Sequence, residues 1–313
     1  MRSSFNGPKA VLATAALLAL GLAASSASAA VVISTINSSA GIESTLINAL
    51  LAPASGVSVV AGTPSYQGTN TANFQQSGTY SGLNLAPSSG STPTLTMADG
   101  IFLTSGNANI PLTNTLNNFT GQSGSGAYVP LGALSASAGG TSTTLDANVL
   151  SFNFNVAAGQ TSVSALFMFG TDEFPTQSVT DIFGFFVDGV NFAKFSTGEL
   201  ISNTPGNPTN FILNPVGGGL YDIEYNGLTQ VFNVTGILGA GNADGSHTLT
   251  IGIADTSDSI FDSGVFVSSL KSGTATGGGG IGDDGNTVPE PGSLALLGVA
   301  LAAVGAVRRS KKV

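Results

Sequence analysis

From residue 31 onward short apolar stretches alternate with turn-forming residues, a pattern of strands rather than helices. Val31-Val32-Ile33-Ser34-Thr35-Ile36 is β-branched and predicts a first strand. Ile42, Leu46, Ala49 and Leu50 then recur at helical spacing behind Ser38 and Ser39, which can cap, until Pro53 stops the run. This predicts one short N-terminal helix, the only sizeable one. Val57 to Val60 and Tyr66 to Phe74 are weaker strand candidates, and Leu95-Thr96-Met97 leads through Ala98-Asp99-Gly100 into Ile101-Phe102-Leu103-Thr104, an Asp-Gly turn between apolar runs. Leu150, Phe152, Phe154 and Val156 alternate with Ser151, Asn153 and Asn155, as in a strand with one wet face, and Val163, Ala165, Phe167 and Phe169 repeat the period. Ile182-Phe183-Gly184-Phe185-Phe186-Val187 is apolar on both faces, as between two layers, before Asp188-Gly189 turns it into Val190 to Phe195. Leu228 to Val234, His247 to Ala254 and Val265 to Leu270 continue the series. The expected fold is all-β: a single antiparallel β-sandwich or jelly-roll-like domain over residues 30–271.

Two stretches depart from the period. Ser105 to Ala147 turns to Asn, Ser, Thr and Gly with scattered Leu and reads as a long surface excursion, either a binding loop or decoration. Ser272 to Thr287 is Gly- and Ser-rich and reads as a linker whose mean reach is about 20 to 24 Å.

The two ends read as addresses. Arg2 and Lys9 precede an apolar stretch from Ala10 to Leu22 and then Ala27-Ser28-Ala29, which predicts a signal peptide over residues 1–29 cut after Ala29 by signal peptidase. The other end carries Val288-Pro289-Glu290-Pro291, an apolar run from Leu294 to Val307, and Arg308, Arg309, Lys311 and Lys312. As a helix that run spans about 21 Å, short of the roughly 30 Å hydrocarbon core of a bilayer. The long basic side chains can extend it by snorkelling and should stay cytoplasmic. This tripartite tail over residues 288–313 resembles the PEP-CTERM sorting signal. The resemblance implies recognition and cutting by an exosortase-type membrane enzyme, transient membrane anchoring by a transmembrane-like helix, and a final place at the cell surface or outside the cell.

Setting the ends aside changes the charge. Six of the eight basic residues lie in them, so Lys194 and Lys271 face sixteen acids and the remainder carries −14. No basic patch can form, which argues against nucleic acid as a partner. A carboxylate surplus suits hard cations such as calcium. With no Cys there is no disulfide, thiol nucleophile or Cys-ligated metal, and the single His247 reads as a strand-edge residue facing solvent. Neither a Gly-x-Ser-x-Gly elbow nor a P-loop is present.

Four stretches together resemble the choice-of-anchor L domain: Ala98 to Gly106, Phe167-Met168-Phe169-Gly170-Thr171-Asp172-Glu173-Phe174-Pro175, Thr180 to Gly189, and Gly252 to Phe266. Members of that family usually carry Ser-Glu-Glu-Tyr where this chain has Thr171-Asp172-Glu173-Phe174, which keeps the acids and drops the phenol. The resemblance implies no activity; the family's association with anchors implies a surface-displayed structural or adhesive role.

Inside those stretches Asp172 and Glu173 follow one strand, Asp181 precedes another, and Asp255, Asp258 and Asp262 fall in one turn-rich segment. Side-by-side strands would bring these loops to one end of the sandwich, where calcium, taking six to eight oxygens, would offset carboxylate repulsion. The plain alternative is Asp making turns through its own backbone bonds. The expected function is therefore a non-enzymatic exported surface or matrix protein, structural or adhesive, associated with biofilm, polysaccharide or other matrix proteins and held by calcium. A carbohydrate-active enzyme using two of the acids is the alternative, weakened by the lack of Trp for sugar stacking. Ice binding would need flat Thr arrays, and Thr94, Thr96, Thr248 and Thr250 are too few.

Overall fold

A computed structural model describes residues 31–88, 93–175, 181–195, 197–202 and 210–282. The targeting residues Ala27, Ala29, Val288, Pro289, Glu290, Pro291, Arg308, Arg309, Lys311 and Lys312 lie outside the described residues.

The N-terminal part contains β1 (Val32–Thr35), α1 (Ile42–Leu50), β2 (Val57–Val59), β3 (Ser65–Gln67), β4 (Ser77–Ser81), β5 (Asn84–Leu85), β6 (Leu95–Thr96) and β7 (Gly100–Thr104). The middle contains α2 (Val129–Ser137), β8 (Thr144–Val156), β9 (Ser162–Thr171), β10 (Ile182–Val187) and β11 (Val190–Asn191). Then come β12 (Ile212–Leu213), β13 (Gly227–Leu228), β14 (Phe232–Ile237), β15 (His247–Thr256), β16 (Ser263–Gly273) and β17 (Gly280–Ile281).

These strands form two large antiparallel sheets. The first runs β1-β4-β7-β16-β9-β13-β12, with β14 also on β9 and β17 on β14; the second runs β11-β10-β15-β8-β2, with β3 also on β8. The period-two patterns decide how they stack. Phe152 and Phe154 of β8, Phe167 and Phe169 of β9, Phe183 and Phe185 of β10, and Val265 and Val267 of β16 share one core with α1. The intervening residues Phe102, Met168 and Phe266 point the other way and form a second core with Tyr221, Tyr225 and Leu228. The outer face of the second sheet carries Val149, Ile182, Phe186 and Ala254 against Leu131 of α2. Each fully buried Phe contributes about 1.5–3 kcal/mol relative to exposure, so three apolar layers substitute for disulfides.

Some local expectations change. Gly41, at φ +70°, and not a serine side chain caps α1; Ser38 instead accepts from the Ala40 amide at 3.2 Å. A second helix, α2, lies inside the segment expected to be a surface excursion. Its seat depends on Gly132, where a Cβ would meet the Ser142 carbonyl oxygen at 2.2 Å. The Asp99-Gly100 step turns the chain without making a hairpin, because β6 pairs β5 while β7 joins the first sheet. At Asp188-Gly189 the expected tight turn is present, with φ of 50° and 80° and Val187 opposite Val190. Gly280–Ile281, within the expected linker, adds a short strand to β14. Among the described residues no helix is long and apolar enough to cross a membrane.

Candidate functional site

The sheet registers carry acids to one end of the sandwich. On the second sheet Ile182 pairs with Ala254, so Asp181 and Asp255 follow as neighbours on adjacent strands. Between Ile253–Asn148 and Asp255–Leu145 the register slips by one residue, a bulge that holds Asp146. Asp146 has φ 49°, a left-handed conformation that Asp tolerates better than most side chains. On the first sheet Ser263 pairs with Thr171, and the next residues stay together because the Asp172 amide donates to the Asp262 carbonyl at 3.1 Å. The Glu173 amide bonds Thr171 Oγ1 at 3.1 Å. Two short rows result, Asp146-Asp255-Asp181 on one sheet and Asp262-Asp172-Glu173 on the other. Ser263 links them, donating its hydroxyl to Asp181 Oδ2 at 2.6 Å.

These side chains are withdrawn from water: Asp146 is 4% exposed, Asp172 3%, Asp181 1%, and Glu173, Asp255 and Asp262 0%. Asp181 and Asp172 have donors; Thr256 N reaches Asp181, and Phe119 N and Asn226 Nδ2 reach the two Asp172 oxygens, each at 2.5 Å. The others do not. Both carboxylate oxygens of Glu173, Asp255 and Asp262, and Oδ2 of Asp146, are buried with no well-formed hydrogen bond among the described residues. Such oxygens cost free energy unless something meets them.

Burial, and after it mutual repulsion, pushes the carboxyls up. Glu173 rises to about 9, with Asp181, Asp258, Asp172 and Asp262 adding to the effect of burial. Burial, with Asp181, Asp146 and Asp172 nearby, raises Asp262 to about 8. Asp255 lies well above the ordinary carboxylate range through burial and the charges of Asp181 and Asp262. Burial takes Asp172 and Asp181 to about 7 despite their hydrogen bonds. Among the described residues no cation counters them: Lys271 is exposed on β16 opposite Ser164, and Lys194 is exposed beside Glu199.

Glu224 is the internal contrast. It is equally buried but accepts from Thr113 Oγ1, Thr115 N, Thr115 Oγ1 and Leu116 N. Burial pushes Glu224 up, yet these bonds outweigh it and hold the carboxyl below its usual range. Where this fold keeps a buried anion permanently, it supplies several donors; among the described residues Asp262 has only the Gly121 amide near it, Asp255 only the Ser105 hydroxyl, and Glu173 has none.

Residues 105–128 close this end as a strap. Ser105 and Ser263 exchange bonds, with Ser105 N on Ser263 O at 3.0 Å and Ser263 N on Ser105 Oγ at 3.0 Å. Asp262 packs so closely on Gly106 that a Cβ there would lie 1.6 Å from its Oδ2. Further along, Asp262 N donates to Phe119 O at 3.0 Å, and Gly124 N donates to Asp146 Oδ1 at 2.6 Å.

Of the six acids expected from sequence, Asp172, Glu173, Asp181, Asp255 and Asp262 meet here. Asp258 stands at the rim, half-buried, its Oδ1 accepting from the Ile260 amide at 3.2 Å as a turn-making Asp does. Asp146 and Glu224 were not anticipated. Asp146 lies near the start of β8 and reaches the centre through the bulge in its pairing with β15, which has no local signal in the sequence. His247 is mostly covered rather than solvent-facing: its side chain is 15% exposed, lies against Phe154, and its Nδ1 sits 2.8 Å from Asp188 Oδ2. The hydroxyl that a nucleophilic relay would require is not among its hydrogen-bond partners here.

As the side chains stand, no group of three or more His, Asp or Glu among the described residues is arranged to hold a metal ion. The residue types nevertheless suit a hard cation, since carboxylates gather here with the Ser263 hydroxyl among them.

A family model described as Choice-of-anchor L domain matches residues 35–271, and one described as PEP-CTERM protein-sorting motif matches residues 287–310. No curated protein and no solved structure gives a significant match.

Proposed function

Because the chain belongs to the choice-of-anchor L domain family, its model covering most of the length, we propose that it is a non-enzymatic display module of the cell surface or extracellular matrix. The sorting motif marks it as an exported substrate of an exosortase-type enzyme. Its role is structural or adhesive, in contact with polysaccharide or matrix proteins, and calcium at the acidic centre holds its loops together. One observation carries this reading: buried carboxylates that lack well-formed partners among the described residues, enclosed between the sheets and a strap. Burial that a cation can use is burial that a glycan chain cannot reach, which favours a structural centre over a hydrolytic pair. Cavities of about 320 and 440 Å³ are lined by other residues, among them Phe192, Lys194, Phe195 and Glu199.

The test is incubation of the purified protein with a glycan panel that includes the producer's own matrix. Retention on the matrix without release of reducing sugar is expected. Release that disappears in Asp255→Asn or Asp181→Asn would replace this reading with a carbohydrate-active enzyme.

A further inference from the structure

The strap is anchored in two unlike ways. Residues 113–116 rest on Glu224, whose four bonds come from the strap itself and need nothing else. Residues 119–126 rest partly on the acids of the centre and partly on Thr69 and Gln67, whose side chains donate to Ser123 O at 2.9 Å and Ser125 O at 3.2 Å. Phe119 N donates to Asp172 Oδ2 and Phe119 O accepts from Asp262 N. Gly124 N and Ser123 Oγ donate to Asp146 Oδ1 at 2.6 and 3.1 Å, Gly126 O accepts from Ala147 N at 3.0 Å, and Ser125 Oγ donates to Ala147 O at 2.6 Å. The segment buries little of its own: Phe119 is half-buried and residues 120, 122, 124 and 126 are exposed. The part of its order that runs through Phe119 and Gly124 therefore depends on how Asp172 and Asp146 are held.

Asp146 faces both ways. Its Oδ1 holds the strap, while its Oδ2 is buried without a partner. Its charge acts on Asp255 and Asp262 across the centre. The neighbouring oxygens of Glu173, Asp255 and Asp262, all on side chains with no exposure and without a well-formed bond among the described residues, are a second observation pointing to a ligand at this end.

We propose that Asp146 is a further ligand of the cation centre and the joint through which cation loading locks residues 119–126 over it. This rests on the calcium reading above and adds a residue and a consequence. A cation drawing Asp146 Oδ2 inward fixes the carboxylate plane, so Oδ1 stays aligned with Gly124 N; without it only the Gly124 N and Ser123 Oγ bonds orient the carboxylate. By linkage, whatever stabilises the closed strap tightens cation binding by the same factor. The chain thus carries a strap that stays loose where free calcium is scarce and closes where calcium is abundant, as outside a cell.

Hydrogen exchange read by mass spectrometry on the full chain, with calcium alone as probe and chelator as reference, tests this. Calcium should slow exchange at 119–126 at least tenfold and leave 113–116 within twofold. Asp146→Asn, which keeps the volume and tolerates the same φ, should abolish that slowing while calcium still raises the melting temperature. If that variant does not fold, Ser123→Ala serves instead: it removes a strap contact without touching a ligand and should speed exchange at 119–126 in calcium. Equal slowing of both segments, or none at 119–126 while calcium raises the melting temperature, would overturn the lock and leave the cation centre standing. No calcium effect on melting or exchange would overturn both.

Discussion

Asp262→Asn should act in opposite directions with and without calcium. In chelator at pH 8 the wild-type centre carries an anion it does not want: the Asp262 carboxyl is raised from 3.8 to about 8 by burial and by Asp181, Asp146 and Asp172. Roughly four units at about 1.4 kcal/mol each set a ceiling near 5 kcal/mol for the cost of ionising it there. Relaxation and water entry reduce that ceiling, and the new amide leaves its own buried groups unpaired at about 1–3 kcal/mol. The net gain is on the order of 2 kcal/mol, or about 4–8 °C in melting temperature for a domain of this size. In calcium at a hundred times its dissociation constant the wild type gains about 2.7 kcal/mol, and the variant, lacking a charged ligand, should lose most of that gain. Differential scanning calorimetry of both proteins in both solutions reads the crossing. A variant destabilised equally in calcium and in chelator would refute the reasoning, since Asp262 would then be an ordinary packed residue.

The raised carboxyls also set the pH dependence. In chelator the folded chain binds protons that the unfolded chain has released, so their contribution is fully present below the unfolded values near 4 and is lost as pH passes about 7 for Asp172 and Asp181, 8 for Asp262 and 9 for Glu173. The melting temperature in chelator should fall from pH 5 to pH 9, and calcium should flatten the upper half. Gly106→Ala places a methyl group 1.6 Å from Asp262 Oδ2 and should cost upwards of about 2 kcal/mol in either solution, read by urea unfolding. Glu224→Gln should cost about 2 kcal/mol and free residues 113–116, leaving the calcium increment unchanged. Deleting residues 288–313 should move the protein from the envelope fraction to the medium; unchanged fractionation would contradict the sorting reading.

The strands were readable because their period is two and their faces differ, as in Phe152 and Phe154 against Ser151 and Asn153. The layer order was readable in outline, since a run apolar on both faces, Ile182 to Val187, has to lie between other elements. The second helix was not, because Val129 to Ser137 is built of small residues and its seat is a glycine contact with Ser142, a tertiary fact with no local pattern. Five acids of the centre were legible because Asp or Glu at strand ends is a local signal and antiparallel pairing brings strand ends together. Asp146 was hidden by its setting: a bulge displaces it into place, and bulges follow from pairing rather than from composition. The strap looked like decoration for a related reason. It holds on through hydrogen bonds to distant acids, and polar sequence gives no hint of which polar partner it will find.

Calcium titration of the metal-free protein by isothermal calorimetry, repeated at pH 7.5 in buffers of different ionisation enthalpy, tests the cation centre most directly. Glu173, raised to about 9, and Asp262, raised to about 8, lie above that pH in the metal-free state, so a cation that takes them as ligands must displace protons. Saturable binding that releases at least one proton per cation, lost in Asp255→Asn, is the expected result. The absence of saturable binding, or binding with no proton released, would contradict it.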